Sequence, residues 1–310
     1  MKIFLENVNI DSNSGPNHFG KKLKKYLENN NNECVMSAQK CDSHLCFIQS
    51  VYQILNTPLI LRLDSIYFDP AQDINTLNYL IHHSYKRADG VIFQSDFSKN
   101  LVFNYFGECQ DYTIIRNGAD LELLKEASDF NLAEVSKFED VWSCAASWYY
   151  DPQLRQPRYR KRLSENIRFF LEFSKPKDCL IVAGDVPEWD REKNERIFYV
   201  GNLDTGSLFS LYKLSKYFIH LSSFESCPNV VIDARAFGCK IICSSLGGTA
   251  EIAGTNSMIV QEDPWDFNPE NLQINNHIDF SSICNSEFNS DYDMAKVAKQ
   301  YEEYMLKFKV

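Results

Sequence analysis

Two carboxylates and a proline stand close together in the last third of the chain. Glu225 follows the apolar run 218–221, Pro228 comes next, and Asp233 lies eight residues beyond Glu225. A strand ending near Leu221 leaves Glu225 in the loop at its carboxyl end. Pro228 suits the first turn of a helix, where its missing N–H costs nothing. Asp233 then falls in the second turn. Free amides around Asn229, Val230 and Val231 would point out of the helix start with the dipole behind them, which suits a diphosphate. Glu225 can accept hydrogen bonds from sugar hydroxyls and Asp233 from ribose hydroxyls. Two acids at this spacing are also commonly solvated caps. A second element bears on the choice. Gly247-Gly248-Thr249-Ala250-Glu251 follows the next strand and opens another helix. Its glycines let backbone approach a ligand closely, and Thr249 can cap the helix with Glu251 in its first turn. A plain turn with a good cap would use the same residues.

Other chemistry-bearing groups are weaker signals. Cys41 to Cys46 encloses His44, but no second ligand pair follows at a zinc-like spacing, so no metal is expected. His82 and His83 are adjacent, and on a helix neighbours point about 100° apart, which does not make a metal pair. No Asp-x-Asp pair occurs in the region of Glu225.

The elements that must position these residues alternate. Short runs rich in β-branched and aromatic residues fall at 2–5, 45–49, 59–63, 90–94, 113–116, 144–147, 179–183, 197–200, 218–221, 240–243 and 257–260. Helix-like stretches lie between them at 19–28, 77–87, 164–172, 206–214 and 228–238. Strand alternating with helix predicts an α/β fold with parallel sheets covered on both faces. The rhythm breaks after Asn117-Gly118-Ala119-Asp120 and restarts near residue 140. The reading is therefore two Rossmann-like domains, 1–125 and 138–292, with an amphipathic helix at 293–310 that packs back on the first.

Bulk composition agrees. A chain of 310 residues suits two domains of about 100–200 residues each. Hydrophobic residues make up 44% and aromatic residues 14%, enough for two cores. The net charge of −10 repels phosphate backbones and disfavours nucleic acid as a partner. The start of the chain does not read as a signal peptide, and no run approaches the ~20 apolar residues needed to span a bilayer. Ten cysteines without a regular framework, several inside apparent strands, point to reduced buried thiols and a cytoplasmic, soluble protein. Lys21, Lys22, Lys24 and Lys25 make a basic helix for which an anionic membrane surface is one partner and solvent the other.

In combination these motifs resemble the GT-B retaining glycosyltransferases of family 4, the group 1 type, with two Rossmann-like domains facing across a cleft. That family carries a Glu-x7-Glu element and then a Gly-Gly-x-x-Glu turn. Here the pair is Glu225 and Asp233, one methylene shorter at the second acid, followed by Gly247-Gly248-Thr249-Ala250-Glu251. Residues 88–99 resemble the family's last N-domain strand and helix, and 115–120 its Asn-Gly-x-Asp hinge. Val200-Gly201-Asn202 resembles the strand end that holds the nucleotide base.

The resemblance implies a donor, a UDP- or GDP-linked sugar, and a glycan or glycoconjugate hydroxyl as acceptor, with no cofactor or metal required. Lys161 matches the Lys that neutralises the donor diphosphate. The partner Arg falls in an inserted stretch, 148–160, where Arg155 is favoured over Arg158 and Arg160. Glu225 joins Lys161 and Arg155 as catalytic. Gly15, Pro16, Asn202, Pro228, Asn229, Val230, Asp233 and Gly248 would bind the donor. Arg62 and Asp64 would line the acceptor side, in an Arg-x-Asp element where Ser65 replaces the family's Gly. In the family's usual picture a leaving phosphate oxygen helps take the acceptor proton. The competing readings are a nucleotide-sugar epimerase or a phosphorylase on the same scaffold, and a module that binds a nucleotide-sugar without turning it over.

Overall fold

A computed structural model describes residues 1–310 apart from 13, 55, 152–155, 274–276 and 310. The first half is a six-stranded parallel sheet. Its strands are β1 (Lys2–Glu6), β2 (Glu33–Val35), β3 (Ser43–Phe47), β4 (Leu59–Leu63), β5 (Gly90–Phe93) and β6 (Tyr112–Ile114), ordered β2-β1-β3-β4-β5-β6. Three helices connect them: α1 (Gly15–Asn29), α2 (Ile74–Arg87) and α3 (Asp96–Phe106). In α1, Phe19, Leu23, Tyr26 and Leu27 recur at helical spacing and are buried on the sheet. Side-chain caps fix the starts of α2 and α3, from Asp73 and from a reciprocal Ser95–Ser98 box.

The connection to the second half contains a one-turn helix, α4 (Leu121–Leu124), capped by Asp120, and a 3-10 turn, Ala133–Lys137. The second sheet has β7 (Val141–Ala145), then a small hairpin, β8 (Tyr149–Asp151) and β9 (Gln156–Pro157), that stands apart from it. Helix α5 (Leu163–Phe173), β10 (Cys179–Ala183), β11 (Ile197–Gly201), α6 (Thr205–Leu214), β12 (Tyr217–His220), α7 (Asn229–Ala236), β13 (Lys240–Ser244), β14 (Met258–Val260) and β15 (Ile283–Asn285) follow. The order is β11-β10-β7-β12-β13-β14-β15, parallel except for β15. The chain moves outward from β7 in one direction, then returns to its other side with β12. The carboxyl ends of β7 and β12 therefore form a switch point, where open α/β sheets leave a crevice.

Helix α8 (Met294–Leu306) ends the fold. Its buried face, including Met294, Val297, Ala298 and Tyr301, joins the core of the first sheet. The two halves are also fastened along their length. Phe224, Leu246 and Trp265 of the second half pack among Phe68, Phe93 and Leu101 of the first. Arg160 reaches Asp69 at 2.8 Å and lies over the Phe68 ring.

Two sequence expectations change here. The strand expected at 144–147 is Val141–Ala145, because Trp142 and Ser143 continue the buried ladder against Leu180 and Ile181 of β10. Thr249 does not cap a helix: the segment after it is a short 3-10 turn, Ala250–Ile252, with no side-chain cap bond from Thr249. Glu251 instead crosses to the first half and accepts from the backbone N–H groups of Asp96 (2.9 Å) and Phe97 (3.0 Å) at the start of α3. Arg116 closes this contact at 2.6 Å.

Candidate active site

A cleft of about 460 Å³ opens at the switch point, between the strand ends of the second half and the start of α1. It is lined by the end of β7 and the two residues after it, Ala145 to Ser147, with His220 at the end of β12. Lys161 and Glu225 stand on one side, and Pro228, Asn229, Val230 and Asp233 on another. Leu203, Asp204 and Thr205, after β11, form the far end. The first half contributes Gly15 and His18.

Local structure explains why Glu225 faces this space. Phe224 takes a left-handed φ of 59°, unusual for a bulky residue. Its ring is held between Phe68 (6.0 Å) and Trp265 (5.4 Å). The Gly247-Gly248 turn clamps the same loop from behind. Gly248 N–H donates to the Glu225 carbonyl at 2.7 Å. Gly247 has φ 109°, and a Cβ there would sit 2.8 Å from that carbonyl oxygen. A Cβ on Gly248 would meet the Ser226 carbonyl oxygen at 2.1 Å and Ser95 of the first half. The two glycines thus approach the protein's own backbone, and Gly248 lies behind the cleft wall.

The Glu225 side chain meets the Lys161 ammonium in a short ion pair. Burial pushes the Glu225 carboxyl up, but Lys161, with His220 and Arg160 nearby, outweighs it and holds the group below its usual range. His220 is buried, and its Nε2 has no hydrogen-bond partner among the described residues. Burial pushes the imidazole down to about 4, with Glu225 opposing and Lys161 adding to the fall. It is neutral at neutral pH. Its position at the strand end was visible in the sequence, but its burial was not.

Helix α7 starts at Asn229, with Pro228 at its N-cap. The Val231 N–H is bonded to the Pro228 carbonyl at 3.1 Å, which leaves the amides of Asn229 and Val230 as the outward donors of the first turn. The Asn229 side chain bridges the halves: its Nδ2 donates to the Gly15 carbonyl at 2.9 Å, and its Oδ1 accepts from Asn117 at 3.2 Å. Gly15 and Pro16 begin α1, and Gly15 lines the cleft together with Asn229 and Val230 from the start of α7. Asp233 is buried and meets Lys22 at 3.4 Å and His18 at 3.7 Å, both from α1. Lys22 also donates to the Gly118 carbonyl at 2.7 Å. Neither α1 contact was legible in the sequence, where Lys22 reads as one of four basic residues on a solvated helix.

The remaining expected residues lie elsewhere. Asn202 is exposed and donates to Asp185, while its neighbours 203–205 line the cleft. Arg62 is fully buried: it bonds Asp64, Tyr301 (3.0 Å) and Asn117 (2.8 Å) and stacks on Phe19 and Phe47. It ties β4 to α8 and to the segment between the halves. Burial pushes the Asp64 carboxyl up against the pull of Arg62. Neither residue lines the cleft. Arg155 lies outside the described residues. Arg158 stacks 4.1 Å over Tyr150, and Arg160 is held by Asp69. The basic face of α1 is largely engaged within the protein, with Lys25 on Asp120 (2.8 Å) and Lys24 on Glu28 (2.6 Å). Among the described residues, no helix is long and apolar enough to cross a membrane.

Glu6, His44 and Cys46 bring ligand-type atoms within 4.8 Å of one another. The Glu6 oxygens are already engaged, by His44 (2.7 Å), Ser50 (2.5 Å) and the Val51 N–H (2.9 Å). Cys46 belongs to the pair of cysteines singled out in the sequence, and the cluster anchors the loop after β3.

Comparison with known proteins follows the same geometry. Solved structures align over nearly the whole chain. HepE from Anabaena, in complex with UDP and glucose, matches with a TM-score of 0.64 at 15% identity, covering 99% of this chain and 100% of that one. Sucrose-phosphate synthase from Thermosynechococcus elongatus gives 0.60 at 13% identity, covering 99% and 97%. The catalytic domain of starch synthase IV from Arabidopsis thaliana, bound to ADP and acarbose, gives 0.55 at 13%, covering 96% and 78%. The fold is GT-B. Residues 158–273 match the family model of glycosyl transferases group 1. That segment holds Lys161, His220, Glu225 and Asp233, four of the GT-B cleft's polar residues. No curated protein matches the chain.

Proposed function

We propose that this chain moves a sugar from a nucleoside-diphosphate sugar to an acceptor hydroxyl, with retention at the anomeric carbon. The observation that carries the reading is the Lys161–Glu225 pair standing beside the open amides of α7 at the switch point. Lys161 and the Asn229 and Val230 amides would hold the diphosphate. Preorganised cation and dipole both stabilise charge as it builds on the leaving group. Once the diphosphate draws Lys161, Glu225 is released to accept from donor-sugar hydroxyls. The C1–O bond to phosphate breaks and the acceptor oxygen bonds C1 on the same face. The acceptor proton passes to a leaving phosphate oxygen, so no carboxylate nucleophile or metal is needed.

Asp233 is the ribose acceptor in this reading. Its carboxylate is already held by Lys22 and His18, so donor binding and contact between the halves act on one side chain. The base would rest near Leu203 to Thr205. Support for the donor class comes from the group 1 family match over 158–273 and from the UDP and glucose named for HepE. The test is turnover. Incubation with UDP- and GDP-sugars and a panel of saccharide acceptors should release nucleoside diphosphate, and NMR of the product should give the donor's anomeric configuration. Inverted product would overturn retention, and binding without release would leave a nucleotide-sugar-binding module.

A further inference from the structure

One buried polar atom lies at the cleft with nothing to bond. His220 ends β12, where side chains alternate between the two faces of the sheet. Ile219 and Leu221 belong to the core on one face and Phe218 to the core on the other. The His220 ring follows Phe218, 6.2 Å from it and 13° from parallel. The apolar face of β12 ends there, and the imidazole lines the cleft while only 2% exposed. Its Nε2 has no partner. Other buried side-chain atoms also lack one, but among the described residues His220 alone of this group lines the cleft. An unbonded buried atom costs stability, so its place in a binding cleft asks for a partner from a ligand.

The carboxylates of the cleft do not supply that partner. Glu225 pairs with Lys161, Asp233 with Lys22 and His18, and Asp204 accepts from the Ser207 N–H at 2.7 Å. None of them bonds the His220 Nε2. The neighbours indicate which ligand would. Glu225 and Lys161 both act electrostatically on the imidazole, and Asn229 and Val230, with their open amides, line the same cleft. Among the described lining residues Lys161 is the only Lys or Arg. A diphosphate has more acceptor oxygens than one ammonium and two amides saturate. A neutral imidazole adds a donor without adding a cation that competes with Lys161 for Glu225.

We propose that His220 is a further donor-binding residue, whose Nε2–H bonds an oxygen of the leaving diphosphate beside Lys161. This role presupposes the diphosphate reading of the cleft. In the empty protein the imidazole is a cost to folding. In the complex it is one more fixed donor on the oxygens that gain charge as the C1–O bond breaks.

The test is calorimetric titration of UDP, GDP and ADP into the full chain at about pH 8, where the imidazole is neutral both folded and unfolded. At least one should bind wild type. His220→Leu should weaken it by about tenfold or more, the scale of a hydrogen bond to a charged group. His220→Gln keeps an N–H donor at a similar depth and should stay within about threefold of wild type. Without nucleotide, His220→Leu should melt no lower than wild type, because an unbonded buried group is gone. In the wild-type protein the Nε2 resonance of His220 should shift with that nucleotide and not with its nucleoside. Unchanged affinity in His220→Leu, an equal loss in His220→Gln, a lower melting temperature in His220→Leu or a resonance that moves with the nucleoside alone would each overturn the proposal. So would a loss confined to the sugar-linked nucleotide, which would put the imidazole on the donor sugar. A nucleotide that binds wild type and is weakened by Lys161→Ala but not by His220→Leu would remove His220 alone from the diphosphate site. Binding of none of the three would overturn the diphosphate reading and this role together.

Discussion

The two walls of the cleft are built differently. Much of the wall from the second half comes from a short stretch of sequence: His220, Glu225, Pro228, Asn229 and Asp233 follow one another from strand end to helix, and Lys161 with the segments at 145–147 and 203–209 completes it. The wall from the first half is Gly15 and His18, with Lys22 behind, and no motif joins them to what they touch. Lys22 and Asp233 are 211 residues apart. A wall made by one βα turn is written locally, because strand end, loop and helix start have fixed geometry. A wall made by docking two sheets depends on how the halves meet, which no spacing encodes.

The largest effect is expected on the second half's side, at the cation that faces Glu225. Lys161→Ala should lower turnover by about 100-fold or more, the scale of losing one preorganised charge-stabilising group. Nucleoside-diphosphate release measures it, and circular dichroism should remain that of wild type. A variant with near-normal turnover would remove Lys161 from the diphosphate role.

The docked wall should respond mainly in stability. Lys22→Met leaves a buried carboxylate without its closest cation and should cost about 3 kcal/mol in denaturant unfolding. Adding Asp233→Asn should recover much of that loss, because removing both charges of a buried pair is far less costly than removing one. If the two losses simply add, the pair does not join the walls.

His220 links stability to pH. Its folded pKa, about 4, lies below its ordinary value of 6.5. The unfolded chain therefore takes up a proton that the folded protein refuses as pH falls from 6.5 towards 4. Stability should decline in that window, by up to about 1.4 kcal/mol per pH unit, and be unaffected by this group above it. His220→Gln should flatten the decline. An unchanged slope would mean that His220 protonates freely in the folded state.

The smallest effect concerns the fastening behind the Gly-Gly turn. Glu251→Gln weakens the cap on α3 and the contact with Arg116, and should cost about 1 kcal/mol of stability.

Much of the fold was legible because its sheets are buried on both faces, which writes strands as apolar runs. Two of the three-residue edge strands escaped this signal: Glu33–Val35 and Ile283–Asn285 are only partly buried and carry Glu33 and Asn285. Within the site, Glu225 and Asp233 were named from their spacing and Lys161 from the family resemblance, and all three line the cleft. Arg62 and Asp64 resembled an acceptor element, yet Arg62 is enclosed by Phe19, Phe47 and Tyr301, which come from three different elements. Glu251 looked like part of a local cap and serves a helix of the other half, since its own segment makes only a 3-10 turn.

The central claim is that the start of α7 and Lys161 together bind a nucleoside diphosphate. Isothermal titration of UDP, GDP and ADP into wild type and Lys161→Ala tests it most directly. The account predicts that at least one binds wild type and that the variant binds it about tenfold more weakly or worse, as loss of a charge-assisted contact of about 1.5–3 kcal/mol requires. Equal affinity in the two proteins, or no binding of any of the three, would contradict it.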